Sequence, residues 1–229
     1  MRALYQKDLS IQDSYLIKGD AAHHLANVVR VEMNEEILML NGAGLTVKTQ
    51  VSSLSKKEII LKGIENSTVI QNIKMDLALG IPKKEALELC LKQAVELGFR
   101  KIYLIRSEYS QTRLPEMERL ESLIISAIEQ SNSPFMPEIC PMSWGKIPVS
   151  DYGEILMMDS QSDSQNGNMP KNTDPKLLIV GPEGGFSKEE RDFLHKLPNI
   201  RILNLPTPIL RTPTAVSAGA GIILGSLLD

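Results

Sequence analysis

Residues 176–190, KLLIVGPEGGFSKEE, carry a strand, a turn and a helix start in direct succession. Leu177, Leu178, Ile179 and Val180 form an apolar run without polar alternation, the pattern of a strand buried on both faces of a parallel sheet. Gly181, Pro182, Glu183, Gly184 and Gly185 then end it, because glycine permits positive φ and proline fixes its own. Ser187 with Glu190 is a capping-box pair that opens a helix. The succession predicts a ligand loop at the carboxyl edge of an open α/β sheet. A plain turn needs one glycine, whereas three around a rigid proline suggest backbone lying directly against a ligand. A Cβ at Gly184 is therefore expected to intrude on ligand space.

A phosphate is a poor candidate for that ligand. Phosphate loops offer amide N–H groups and usually a lysine, and the acid Glu183 would repel the anion. A neutral or partly cationic molecule fits better, and the sulfonium S-adenosylmethionine is one candidate.

Composition narrows the class. The chain has 229 residues, 42% of them hydrophobic, which suits one or two soluble domains. No apolar run reaches the roughly 18 residues of a membrane span, and MRALYQKDLS lacks the apolar core of a secretory signal. A cytoplasmic protein without a membrane role is expected. Cys90 and Cys140 are its 2 cysteines and read as reduced thiols, with a disulfide between them as the alternative. With 3 histidines, His23 and His24 adjacent among them, no metal-ligand spacing emerges. The formal charge of −3 argues mildly against indiscriminate nucleic-acid binding, so any RNA contact must come from a local patch.

Taken in order, residues 1–70 read as β and suggest a small barrel. Leu38 to Leu40, the turn Asn41-Gly42-Ala43-Gly44, and Leu45 to Val51 form a hairpin, with Ile59 to Leu61 as a further strand. His24 to Arg30 allows one or two helical turns presenting Arg30, for which a solvated charge is the simpler reading. Glu65 to Gln71 reads as a linker. The pattern beyond it is α/β. Met75 to Ile81 is a strand, and Leu87, Cys90, Leu91, Ala94 and Val95 recur at helical spacing up to Gly98. Lys83 and Lys84 stand at the helix end that the macrodipole makes unfavourable for cations. They are either placed for a substrate or simply solvated. Lys101 to Arg106 is a strand, Met117 to Gln130 a helix, and Ile155 to Met158 a strand. The polar stretch Asp159 to Pro175 is assigned no structure and expected to be mobile. After a strand over Ile200 to Leu203, Thr212 and Pro213 suggest an N-cap and N1 for a helix from Thr214 to Leu228. Its Ala215, Ala218, Gly219, Ala220, Gly221 and Gly225 predict close packing on another helix, of this chain or of a second subunit.

With these loops in hand, the chain resembles the RsmE family, uridine-N3 methyltransferases of 16S ribosomal RNA in the SPOUT (α/β-knot) superfamily. The likeness rests on Gly181 to Ser187 (GPEGGFS) with Glu190, on Ile209-Leu210-Arg211-Thr212 with Thr214-Ala215, on Lys92 to Gly98 (KQAVELG), and on His24 with Val28-Val29-Arg30. It implies that residues 1–70 are a PUA-like or OB-like RNA-recognition barrel. Residues 73–229 would be the SPOUT methyltransferase domain, a parallel α/β sheet closed by a C-terminal trefoil knot. It implies S-adenosylmethionine held by Val180, Gly181, Glu183, Gly184, Gly185, Leu205, Ile209, Leu210, Thr212, Thr214 and Ala215. Arg211 would be the catalytic charge, Arg30, Lys83 and Lys84 the RNA contacts, and the assembly a homodimer acting on 16S ribosomal RNA or the small subunit. Pro206, Pro208, Pro213 and Ser133 stand where the family pattern has glycine, arginine, glutamate and arginine. The two missing arginines leave a second reading open, a relative that binds cofactor and RNA without turnover.

Overall fold

The computed structural model describes residues 1–55, 57–111, 113–161 and 174–228, with the side chain of Val28 left out. Most of the stretch expected to be mobile, residues 162–173, therefore lies outside the described residues. The chain divides into two units, Met1–Gln71 with Ile125–Met136, and Asn72–Ile124 with Pro137–Asp229.

The first unit is built on a mixed sheet of β1 (Arg2–Tyr5), β2 (Ser14–Lys18), β3 (Glu36–Leu40), β4 (Leu45–Leu54) and β5 (Glu58–Thr68). Its order is β1-β3-β4-β5-β2. The expected hairpin is β3–β4, joined by the turn whose Gly42 and Gly44 take φ of 72° and 100°. Two register shifts in the β4–β5 ladder, at Lys48/Thr49 and Val51/Ser53, bend the sheet into a half-barrel around Ile37, Val47, Val51, Ile59 and Leu61. β5 overruns the expected linker: Glu65 to Thr68 pair with Lys48 to Leu45. Their polarity reflects exposure on a long antiparallel ribbon, since one face of such a sheet can meet water. Between β2 and β3 lie a helix, α1 (Gly19–His23), and a π-helical turn, His24–Val29. This turn ends on Arg30 in the left-handed region, φ 56°.

The second unit contains β6 (Met75–Gly80), α2 (Lys84–Glu96), β7 (Lys101–Arg106), the start of α3 (Met117–Ser131) and β8 (Glu138–Ser143). It continues through β9 (Glu154–Met158), β10 (Lys176–Val180), α4 (Lys188–Leu194), β11 (Ile200–Leu203) and α5 (Thr212–Gly225). All its strand pairs are parallel, in the order β11-β9-β10-β6-β7-β8. β10, every residue of it buried, lies between β9 and β6 as its uninterrupted apolar run predicts. α5 packs on α2 and on β10 within its own chain. Gly219 is required there, because a Cβ would come 2.5 Å from Leu178 Cδ1 and 3.2 Å from Met158 Sδ. Gly221, by contrast, is exposed, with nothing within 4 Å of its Cβ position.

The amino edge of this sheet is closed by ion pairs. Asp76, 1% exposed, accepts from Arg100 Nε at 3.0 Å and Nη2 at 2.7 Å, from the Lys101 N–H and from the Tyr152 hydroxyl at 2.7 Å. The Tyr103 hydroxyl lies 2.9 Å from that of Tyr152. Burial first, and then these hydrogen bonds, raise the Tyr152 pKa and keep the phenol protonated. Glu154 similarly meets Arg201 at 3.1 Å and the buried Lys176 at 3.7 Å. Both cysteines are free, and burial pushes the Cys90 thiol up to about 12, so it stays unionised at neutral pH. Removing the shared acceptor strands four donors from three residues, so Asp76→Ala is expected to cost about 3 kcal/mol or more. Thermal denaturation against Asp76→Asn, which keeps part of the hydrogen bonding, measures it.

Candidate functional site

The strand order reverses between β6 and β10, where open parallel sheets bind ligands beyond their carboxyl ends. A cavity of about 310 Å³ opens there. It is lined by the ends of β9 (Met158, Asp159), β10 (Val180 to Phe186) and β11 (Leu203 to Leu205), and by Thr207 to Thr212 with Ala215. Val180, Gly181, Glu183, Gly184, Gly185, Leu205, Ile209, Leu210, Thr212 and Ala215, all assigned to one cofactor site from sequence, line this single cavity together with Arg211. Thr214 does not. At about 100° per residue the helix turns Thr212 and Ala215 inward and leaves Thr214 exposed. Lys83 and Lys84 are exposed at the start of α2 and are not among the lining residues, and Arg30 belongs to the first unit.

Thr212 has a different task from the capping role read in the sequence. Arg211 is the N-cap of α5, and Thr212 and Pro213 open the helix itself. The buried Thr212 hydroxyl donates to the Gly181 carbonyl at 3.2 Å, tying the two glycine- and proline-rich loops together. Arg211 is exposed beside this link, at the cavity wall. Pro206 and Pro208 lie in the exposed stretch before it, where Thr207 N–H donates to Leu205 O at 2.7 Å and its hydroxyl to Pro208 O at 3.1 Å. Ile209 is 86% exposed, an apolar surface turned to the cavity mouth. In the first unit, Ser133 shapes a turn through its hydroxyl and Phe135 O, 3.1 Å apart.

The acids of residues 176–190 hold loops rather than charges. Glu183 accepts the Lys83 N–H with both carboxylate oxygens, at 3.0 and 3.2 Å. A carboxylate at the α2 N-terminus satisfies an orphan donor and complements the dipole that the two lysines oppose. Ser187 and Glu190 form the expected capping box, and the other Glu190 oxygen accepts the Glu108 N–H at 2.9 Å. Gly181 has Gly185 backbone 3.2 Å from its Cβ position, so the loop folds against itself. At Gly184 the neighbour differs from the expected ligand: a Cβ would stand 2.8 Å from Tyr109 Cβ. Sequence reading also missed Asp159, which follows a correctly read strand but reaches the cavity only through the strand order.

Loops on one side of a strand-order reversal, closing on a cavity with backbone and apolar side chains, define an α/β enzyme domain built around an organic ligand. The comparisons make the class particular. A family model described as RNA methyltransferase domain matches residues 70–224, and one described as RNA methyltransferase PUA domain matches residues 17–62. The chain belongs to the RNA methyltransferase domain family. It is 29% identical over 209 residues to ribosomal RNA small subunit methyltransferase E of Rickettsia conorii, covering 84% of this chain and 82% of that protein. To the Bacillus subtilis protein of that name it is 25% identical over 232 residues, covering 93% and 90%. The crystal structure of the Neisseria gonorrhoeae protein of that name, bound to S-adenosyl methionine, superposes with a TM-score of 0.85 at 25% identity, covering 98% of this chain and 97% of that one. The resemblance read from the two loops is thereby borne out.

Glu183→Ala is expected to lower stability by about 1 kcal/mol through loss of the helix-end carboxylate, with Glu183→Gln losing less. Thermal denaturation gives that value. Calorimetric titration with S-adenosylmethionine, run on the same proteins, reports whether freeing the loop also weakens the cavity.

Proposed function

We propose that this chain transfers a methyl group from S-adenosylmethionine to N3 of a uridine in 16S ribosomal RNA. The observation that carries the proposal is the cavity formed by two loops joined through Thr212 and Gly181. The lining fits the cofactor. Its volume is that of a small-molecule site, the loops offer backbone groups and apolar faces, and Asp159 and Glu183 are acids where a phosphate ligand would call for bases. When bound, S-adenosylmethionine supplies an electrophilic methyl group on a sulfonium. Val180, Gly181 and Gly185 would hold it from the first loop, and Leu205, Leu210 and Ala215 from the second.

Uridine N3 is an imide nitrogen that carries its proton near neutral pH, so transfer requires that proton's removal or stabilisation of the developing anion. Arg211 is the basic side chain among the described lining residues and is assigned that stabilising role. The first unit, with Arg30, is assigned to RNA recognition. Its left-handed φ of 56° would suit glycine better, and an arginine kept there despite the strain is consistent with a use for its side chain. A second copy of the chain is proposed to cover the exposed small-residue face of α5 around Gly221. Arg211 at the cavity wall, and relatives that carry the name of a ribosomal RNA methyltransferase, support turnover over the non-catalytic reading.

The direct test supplies small ribosomal subunits and methyl-labelled cofactor, then digests the RNA to nucleosides for mass spectrometry, where N3-methyluridine is expected. Arg211→Ala should keep cofactor affinity within a small factor and lose roughly a hundredfold or more in rate, with partial recovery at higher pH where the imide ionises. If Arg211 were only structural, melting temperature would fall and the rate per folded molecule would not. Gly221→Arg should shift sedimentation at low micromolar concentration from dimer to monomer, since it buries an unpaired charge.

A further inference from the structure

The loop after β7 leaves one large aromatic side chain outside the core and outside the cavity. Tyr109 is 49% exposed, and among the described residues its hydroxyl makes no hydrogen bond and its ring meets no other ring. The residue is nevertheless firmly placed. Gly184 lets it rest on the GPEGG loop, with Tyr109 Cβ and Cγ at 2.8 and 3.2 Å from where a Cβ at Gly184 would stand. The loop beneath is pinned at several points: Glu108 N–H to Glu190, Gln111 N–H to Ile81 O at 2.9 Å, and the Ser107 and Ser110 hydroxyls 2.7 Å apart. On a loop braced this way the ring keeps about half of its surface open to solvent. It stands at the carboxyl edge, against Gly184, which itself lines the cavity.

Exposed cations stand on the flanking segments, Arg106 at the end of β7, Arg113 on the connection after it, and Lys83 and Lys84 at the start of α2, interspersed with the exposed acids Glu85, Glu108, Glu116 and Glu183. An exposed aromatic face bordered by cations is the chemistry that binds single-stranded nucleic acid: the ring stacks a base and the cations follow the phosphates. We infer that Tyr109 is a stacking platform for a base of the RNA strand next to the one presented at the cavity, and that it positions the substrate without touching the cofactor. The inference deepens the RNA methyltransferase reading given above and rests on it.

Equilibrium binding of fluorescein-labelled decauridylate, with S-adenosylmethionine present, tests the platform apart from the chemistry. Base–aromatic stacking of about 1–3 kcal/mol corresponds to a loss of roughly 5- to 150-fold. Tyr109→Ala and Tyr109→Leu should both lose affinity in that range. Tyr109→Phe and Tyr109→Trp should stay near wild type, because the face of the ring and not the hydroxyl is used. Cofactor affinity by calorimetry should be unchanged in all four, and with ribosomal RNA the Ala variant should raise KM more than it lowers kcat. A decauridylate carrying 5-bromouridine, irradiated on the wild-type protein, should crosslink to the peptide containing Tyr109. Leucine binding as well as phenylalanine, or a crosslink map that omits this peptide, would overturn the platform. Ring-dependent binding by a wild-type protein that methylates no RNA would leave the platform standing and sink the methyltransferase reading instead.

Discussion

β10 is buried on both faces and paired along both edges, between β9 and β6. A strand in that position has little side chain to spare for a ligand: Leu177, Leu178 and Ile179 are buried in the core, Lys176 pairs with Glu154, and its last residue, Val180, is the one that reaches the cavity. Whatever this sheet binds must be held where the strand stops, by the backbone and the short side chains of the loops. This constraint explains the composition of GPEGG better than any single contact does. Gly80 shows how tight the edge is, since a Cβ there would collide with the ring and nitrogen of Pro182. The rigidity of the loop follows from what surrounds it, and the cavity inherits that rigidity.

The ionisable groups are divided between the two edges of the sheet. At the amino edge Asp76 and Glu154 gather arginines, a lysine and a tyrosine into buried clusters whose role is to fix strand positions. At the carboxyl edge Glu183 and Glu190 accept backbone N–H groups from other loops, so their charge is spent on holding backbone in place. Neither acid is therefore an obvious proton acceptor. Arg211, exposed and at the head of α5, remains available for a substrate in a way these carboxylates are not.

Local signals made the central strand, the GPEGG turn, the Ser187 capping box and the β3–β4 hairpin legible in the sequence, because each is decided within a few residues. Thr212 was misread for the same reason. Thr-Pro is a strong local cap signal, but a partner distant in sequence, the Gly181 carbonyl, took the hydroxyl. Asp159 could not be found at all, since its place at the cavity depends on β9 neighbouring both β10 and β11. Glu65 to Thr68 looked like a linker because their side chains are polar, although their backbone is fully engaged with β4. Tyr109 carried no sequence signal beyond being an aromatic residue in a polar loop.

The order of strands also sets a timetable for synthesis. Met75 of β6 pairs with Lys176 of β10, so the middle of the sheet waits for a segment made long after β6. Until Val180 has left the ribosome, β6 and β9 each present a raw edge of unpaired amides and carbonyls. Crowded polysomes would bring such edges from sister chains together. Premature termination between β9 and β10 thus leaves β6 and β9 without the strand that joins them, with edges open to pairing between chains.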